Sequence, residues 1–149
     1  MTDERIAKLT GTVALLLLLG ALGFQYLGGI APCEMCHWQR WPHIAAAAIG
    51  LGGTLLWKKD ARLLAIAAIV AISLSGLIGA YQTGMQWHLL PGPSACTGQR
   101  YVMGSNVIPV IQCDAVTWQL FGLSLAAYNA LFSLATALLA SLMLMKNPK

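Results

Sequence analysis

The sequence predicts an all-α membrane protein, a four-transmembrane-helix bundle, and three observations carry that expectation. Hydrophobic residues make up 58% of the 149 positions and charged residues only 9%, against roughly a quarter charged in water-soluble domains. Apolar runs near the length needed to cross a ~30 Å hydrocarbon core recur along the chain. The basic residues stand in small clusters between those runs, so the net charge of +4 reads as an orientation signal. They form no stripe, which excludes nucleic acid as a partner. A chain of this length is one domain, 1–149.

Residues 1–8 are polar, with Arg5 and Lys8 beside the first apolar run, and the first helix is expected over about 9–30. A cleaved signal peptide is the rival reading; it fails on length and on the lack of an A-x-A-like site. The second run, Trp41 to Trp57, is short for a span at ~1.5 Å per residue. A helix over about 36–57 repairs the deficit, with Pro42 near its first turn. Trp38 and Trp41 then mark one interface and Trp57 the other, which sets Cys33-x-x-Cys36 at headgroup depth. After the basic turn Lys58-Lys59-Asp60-Ala61-Arg62, a third helix is expected over about 63–81, where Ser73, Ser75, Gly76 and Gly79 permit close helix contact. Residues 82–117 read as a long Gly-, Pro- and Ser-containing loop holding Cys96 and Cys113. Its apolar patch 107–111 is expected to pack within the loop. The fourth helix is expected over about 118–145.

Orientation follows from the cations. Arg5, Lys8, Lys58, Lys59, Arg62, Lys146 and Lys149 fall on one side, Arg40 and Arg100 on the other. The positive-inside rule makes the first side cytoplasmic. Both termini are then cytoplasmic, and the loops at about 31–36 and 82–117 emerge on the opposite face. In a bacterial inner membrane that face is the oxidising periplasm.

Four cysteines on one face suit staples, zinc or redox chemistry. A four-thiolate zinc site brings its ligands in two close pairs, which Cys96 and Cys113 are not, and no metal site is expected. Cys33-Glu34-Met35-Cys36-His37 matches the bare haem-attachment pattern, but haem would consume both thiols and needs a distal ligand. A C-x-x-C loop is too short to restrain an unfolded chain much, so it makes a poor staple and a good switch. Its reactivity requires a thiolate. Arg40, one helical turn past Cys36, and the helix N-terminus both favour one there. A dithiol at this depth can hand electrons to an acceptor dissolved in lipid. A quinone suits the depth, and Arg40 suits a hydrogen bond to its oxygen.

With these elements the chain resembles the DsbB family of disulfide bond formation proteins. The resemblance rests on Cys33-x-x-Cys36-x-x-Gln39-Arg40-x-Pro42 and Gly92-Pro93-x-x-Cys96. It closes with Cys113-Asp114, Trp118, Phe121-Gly122-Leu123-Ser124-Leu125-Ala126 and Asn129. It implies a thiol:quinone oxidoreductase, an enzyme with Cys33, Cys36, Cys96 and Cys113 as its catalytic residues. A reduced DsbA-like, thioredoxin-fold periplasmic protein would attack a Cys96–Cys113 disulfide at Cys96. Cys113 would exchange with Cys33 of a Cys33–Cys36 disulfide, and Cys36 would face the quinone, ubiquinone or menaquinone. The quinone site it implies comprises Cys36, Arg40, Gln39 and the end of the third helix, Tyr81-Gln82-Thr83, with Tyr81 and Thr83 taken as its contacts. Since DsbA sits at roughly −120 mV, its reoxidation needs a strong downstream oxidant. His37, His43 and His88 read as interfacial residues, and Met85 and Trp87 as interface packing. The chain is expected to act as a monomer. Two alternatives differ in kind: a vitamin-K-epoxide-reductase-like enzyme, whose C-x-x-C comes late in the chain where this one is early, and a non-catalytic membrane protein with stapled loops.

Overall fold

The computed structural model describes residues 2–94, 96 and 112–147. The 107–111 patch and Arg100 lie outside these. Helix α1 spans Asp3–Tyr26. It begins earlier than the apolar run because Thr2 caps it, accepting from Arg5 N, and because Asp3 and Glu4 suit the positive end of the helix. It stops at Tyr26, short of Ile30, where Gly29 takes a positive φ of 67°.

Helix α2 spans Glu34–Ala47 and contains Pro42. It then passes through a π-helical stretch, Ala48–Gly53, and a last turn, Thr54–Leu56. Gly50 lies against α1: a Cβ there would sit 2.8 Å from the Gly11 Cα and collide with the Ala7 carbonyl. The backbones therefore meet directly, and Thr54 Oγ1 donates to the Gly50 carbonyl at 2.8 Å. A short turn, Lys58–Asp60, leads into helix α3, Ala61–Gln86. This helix runs past the expected end at Tyr81 because its last turns bury Gln82, Thr83 and Met85. Ser75, Gly76 and Gly79 are buried against the next helix, as their size suggested.

The fourth helix starts later than expected. Gln119–Leu120 and Leu123–Ser124 form a two-stranded antiparallel hairpin. Its turn residues Phe121 and Gly122 both have positive φ, 50° and 76°, which suits a tight hairpin turn. Helix α4, Leu125–Met145, then begins at the Ser124 cap, whose hydroxyl accepts from Ala127 N.

The packing is inverted relative to a soluble protein. Thr10, Gln39, His43, Ser75, Gln82 and Ser133 are buried, while Leu16, Leu63, Leu74, Leu131 and Leu138 are each more than half exposed. Among the described residues, α1, α3 and α4 are long and apolar enough to cross a membrane. At one end Arg62 Nη1 donates to the Asn147 carbonyl at 3.0 Å, and Asn147 Nδ2 to Asp3 Oδ1, so α1, α3 and the end of α4 are tied together.

Overpacking a filled site costs about 1–3 kcal/mol. Gly50→Ala is expected to lose that much in thermal or denaturant unfolding in detergent. Gly52→Ala, where an added Cβ meets nothing within 4 Å, is expected to leave unfolding within error of the parent.

Candidate active site

The site is built at the end of the bundle where α2 begins. Cys33 is the N-cap of α2, its Sγ accepting from Cys36 N at 3.3 Å. Cys36 falls in the first turn. Their sulfurs lie 2.6 Å apart, the approach that disulfide closure requires. The second pair is bonded: Cys96 and Cys113 form a disulfide with Cα atoms 5.1 Å apart. Cys33, Cys96 and Cys113 are buried in one cluster with Met35 and Met85, and Cys36 packs against it. The four sequence-predicted catalytic cysteines thus come together. Met85 belongs to this cluster, which corrects its reading as interface packing.

The pairs are joined by a side chain that sequence reasoning did not single out. Gln82 Nε2 donates to Cys33 Sγ at 3.2 Å and to the Cys113 carbonyl at 3.2 Å, with Cys36 Sγ 3.9 Å away. The Cys33 thiol is raised above its ordinary range, first by its hydrogen bond to the Cys36 sulfur and next by burial. In the reduced pair the proton accordingly stays on Cys33.

Beside the dithiol is a cavity of about 410 Å³, lined mainly by apolar side chains of α1, α4 and the hairpin segment, including Leu17, Phe24, Trp118 and Phe132. Its polar lining includes Cys36, Gln39, Arg40, Gln25 and Gln86. This combination of an apolar wall with few convergent polar groups is that of a small-molecule site. Arg40 Nη1 donates to Gln25 Oε1 at 2.6 Å, while Arg40 Nε is buried without a partner. A buried guanidinium N–H left in that state is costly, and a ligand oxygen would relieve it.

Not all predicted site residues reach this cavity. Tyr81 points away, its hydroxyl donating to the Pro91 carbonyl at 2.7 Å, and Thr83 is buried with its hydroxyl on the Gly79 carbonyl at 2.8 Å. Successive residues of a helix are rotated by ~100°, so a helix that aims Gln82 at the dithiol turns both neighbours aside. Gln82 and Gln86 line the cavity in their place. His43, expected at an interface, is instead buried: Nδ1 donates to the Gln39 carbonyl at 2.8 Å and Nε2 faces Ser133 Oγ at 3.3 Å. Spacing gave one signal for it, since Cys36, Arg40 and His43 share a helix face. Gln25 had no local signal, because it depends on how α1 packs on α2.

An inverted bundle with a dithiol beside an apolar cavity, packed against a disulfide, defines a membrane thiol–disulfide oxidoreductase. Comparison with known proteins places it further. The family described as Disulfide bond formation protein DsbB matches residues 3–143, and the chain belongs to that family. It is 32% identical to a Disulfide bond formation protein B of Azoarcus sp. (strain BH72) over 135 residues, 83% of this chain and 81% of the relative. The protein of the same name from Verminephrobacter eiseniae (strain EF01-2) is 30% identical over 154 residues, 95% of this chain and 86% of the relative. That of Pasteurella multocida (strain Pm70) is 32% identical over 140 residues, 85% and 78%. No solved structure matches. The protein is a disulfide-generating oxidoreductase of the membrane.

Geometry orders the two inner thiols. In the reduced protein, mass-spectrometric mapping is expected to find Cys36, half-buried, alkylated before Cys33. Cys33 labelling should stay slow through neutral pH and rise only in alkali, because its thiol is held up. Equal rates at neutral pH would contradict the assignment.

Proposed function

We propose that this chain reoxidises a DsbA-like thioredoxin-fold protein and delivers the electrons to a membrane quinone held beside Cys36 and Arg40. The observation that carries this reading is one apolar cavity lined by both Cys36 and Arg40, with Arg40 Nε buried and unpartnered. A bound quinone supplies a two-electron, two-proton acceptor.

The protein's own groups account for the exchange steps. The partner's thiolate attacks Cys96, forming a mixed disulfide and releasing Cys113 as thiolate. The partner's second thiol then displaces Cys96 and leaves with its own disulfide. Cys113 attacks Cys33, which joins the two and releases Cys36 as thiolate. Cys96 next attacks Cys113, restoring the outer disulfide and releasing Cys33. Each exchange breaks one S–S bond and makes one. The reduced inner pair then gives up two electrons and two protons as Cys33–Cys36 closes. Arg40, held by Gln25, keeps a positive charge and a free N–H beside Cys36. Gln39, although it lines the cavity, has its amide engaged within the protein; it acts from behind the dithiol. Tyr81 and Thr83 take no part in holding the quinone.

The topology belongs to the same reading: four membrane-crossing helices, both termini cytoplasmic, both cysteine pairs periplasmic, in a bacterial inner membrane, as a monomer. The distribution of Lys and Arg supports it, as does the Asp3–Arg62–Asn147 cluster, which gathers the terminal segments and the basic α2–α3 turn at one end. Helix α2 completes the fourth crossing with its π-helical stretch.

The test is quinone reduction by the purified protein with a reduced thioredoxin-fold oxidase. Cys36→Ser is expected to abolish turnover, and full turnover in that variant would end the proposal. Arg40→Ala loses a charged hydrogen bond, worth about 1.5–3 kcal/mol. Its quinone KM should rise roughly 10- to 100-fold, whereas Tyr81→Phe and Thr83→Val should keep the parent value within about twofold.

A further inference from the structure

A buried line of polar side chains crosses three helices behind the dithiol. Ser133 Oγ donates to Asn129 Oδ1 at 2.8 Å, both on α4. Asn129 Nδ2 donates to Gln39 Oε1 on α2 at 2.6 Å. Gln39 Nε2 donates to Gln82 Oε1 on α3 at 2.5 Å, and Gln82 Nε2 donates to Cys33 Sγ at 3.2 Å. Two backbone carbonyls set the direction. The Cys113 carbonyl can only accept, so the nitrogen of Gln82 faces it and the oxygen faces Gln39. The Met35 carbonyl, 3.3 Å from Gln39 Nε2, likewise turns the Gln39 oxygen toward Asn129. Every donor in the line therefore points toward the sulfur.

Hydrogen bonds in such a line polarise one another in a low-dielectric interior. A donor within reach of both sulfurs, 3.2 Å from Cys33 Sγ and 3.9 Å from Cys36 Sγ, favours the state in which the pair carries negative charge. Charge develops on the pair only when its disulfide opens. A disulfide whose reduced form is stabilised is the stronger oxidant, so the line raises the reduction potential of Cys33–Cys36 and leaves bond formation itself to the sulfurs.

We propose that Gln82, aligned by the positioning residues Gln39, Asn129 and Ser133, sets the redox potential of the Cys33–Cys36 pair by donating to its sulfur. The inference rests on the proposed function only in taking this pair as redox-active; it requires no quinone and no partner.

The experiment equilibrates the full-length protein in detergent with reduced and oxidised dithiothreitol or glutathione. Each pair is then read separately by alkylation and peptide mass spectrometry. Gln82→Met keeps the volume and removes the donor. It is expected to move the Cys33–Cys36 equilibrium at least tenfold toward the disulfide, a fall of about 30 mV for a two-electron couple. Cys96–Cys113 should stay within about twofold of the parent. Asn129→Leu, which cuts the line one link further back, should move the same equilibrium in the same direction by about threefold. It decides the matter if Gln82→Met does not fold. An inner-pair equilibrium within twofold of the parent in the folded variants would overturn the proposal, as would an equal shift of both pairs, since general loosening moves both. Failure of quinone turnover with the shift intact would instead count against the proposed function alone.

Discussion

The carboxamide of Gln39 is the contact on which the rest of the bundle depends. It receives from α4 through Asn129 and gives to α3 through Gln82, while its own backbone carbonyl accepts from Ser75 at 2.9 Å. In a membrane, apolar faces gain nothing by leaving lipid for one another, and polar pairs and close small-residue contacts supply the specificity. Helix α2 has the greatest need of such pairing, since the described candidates for independent membrane spans are α1, α3 and α4. Its polar face is satisfied only inside the bundle. Removing any one partner leaves another buried amide unpaired, at about 1–3 kcal/mol each.

That arrangement explains how reactive groups are held in a protein made largely of sliding apolar surfaces. Cys33 is a helix cap and Cys36 lies in the first turn, so the dithiol moves with α2 as one piece. Gln39 and Arg40, adjacent in sequence, diverge around that helix. One turns toward α3 and α4 and fixes the helix, while the other turns toward Gln25 on α1 and faces the cavity. Anchoring of the helix and lining of the cavity are thereby divided between neighbouring residues.

The parts of this structure legible in sequence are those written in local patterns. Apolar runs located the helices, and Cys33-x-x-Cys36 with Arg40 one turn later marked the dithiol and part of the cavity wall beside it. Boundaries were less legible, because hydropathy marks the stretch that prefers lipid and not the stretch that is helical. Thr2 and Ser124 move two helix starts, and the Phe121-Gly122 turn hides inside an apolar run. The end of α3 was read as the stretch Tyr81-Gln82-Thr83, and of these three Gln82 is the one that reaches the dithiol and the cavity. Which of three consecutive side chains faces inward depends on the rotation of α3 against α2, and that is fixed by contacts some forty residues away in sequence. His43 was misplaced for the same reason: its partners Ser75 and Ser133 lie on two other helices.

The two cysteine pairs are coupled through more than proximity. One nitrogen of Gln82 serves both, donating to Cys33 sulfur and to the carbonyl of Cys113. The peptide that carries the outer disulfide is thus held over the inner one by the same group that faces the inner sulfurs. Exchange between pairs needs the attacking sulfur in line with the bond it breaks, and a shared donor orders both sides of that encounter at once. A loop tethered only by its own disulfide would lose its position whenever that disulfide opened. The Cys113 carbonyl that Gln82 holds belongs to the backbone, so opening the outer disulfide removes no atom from this contact.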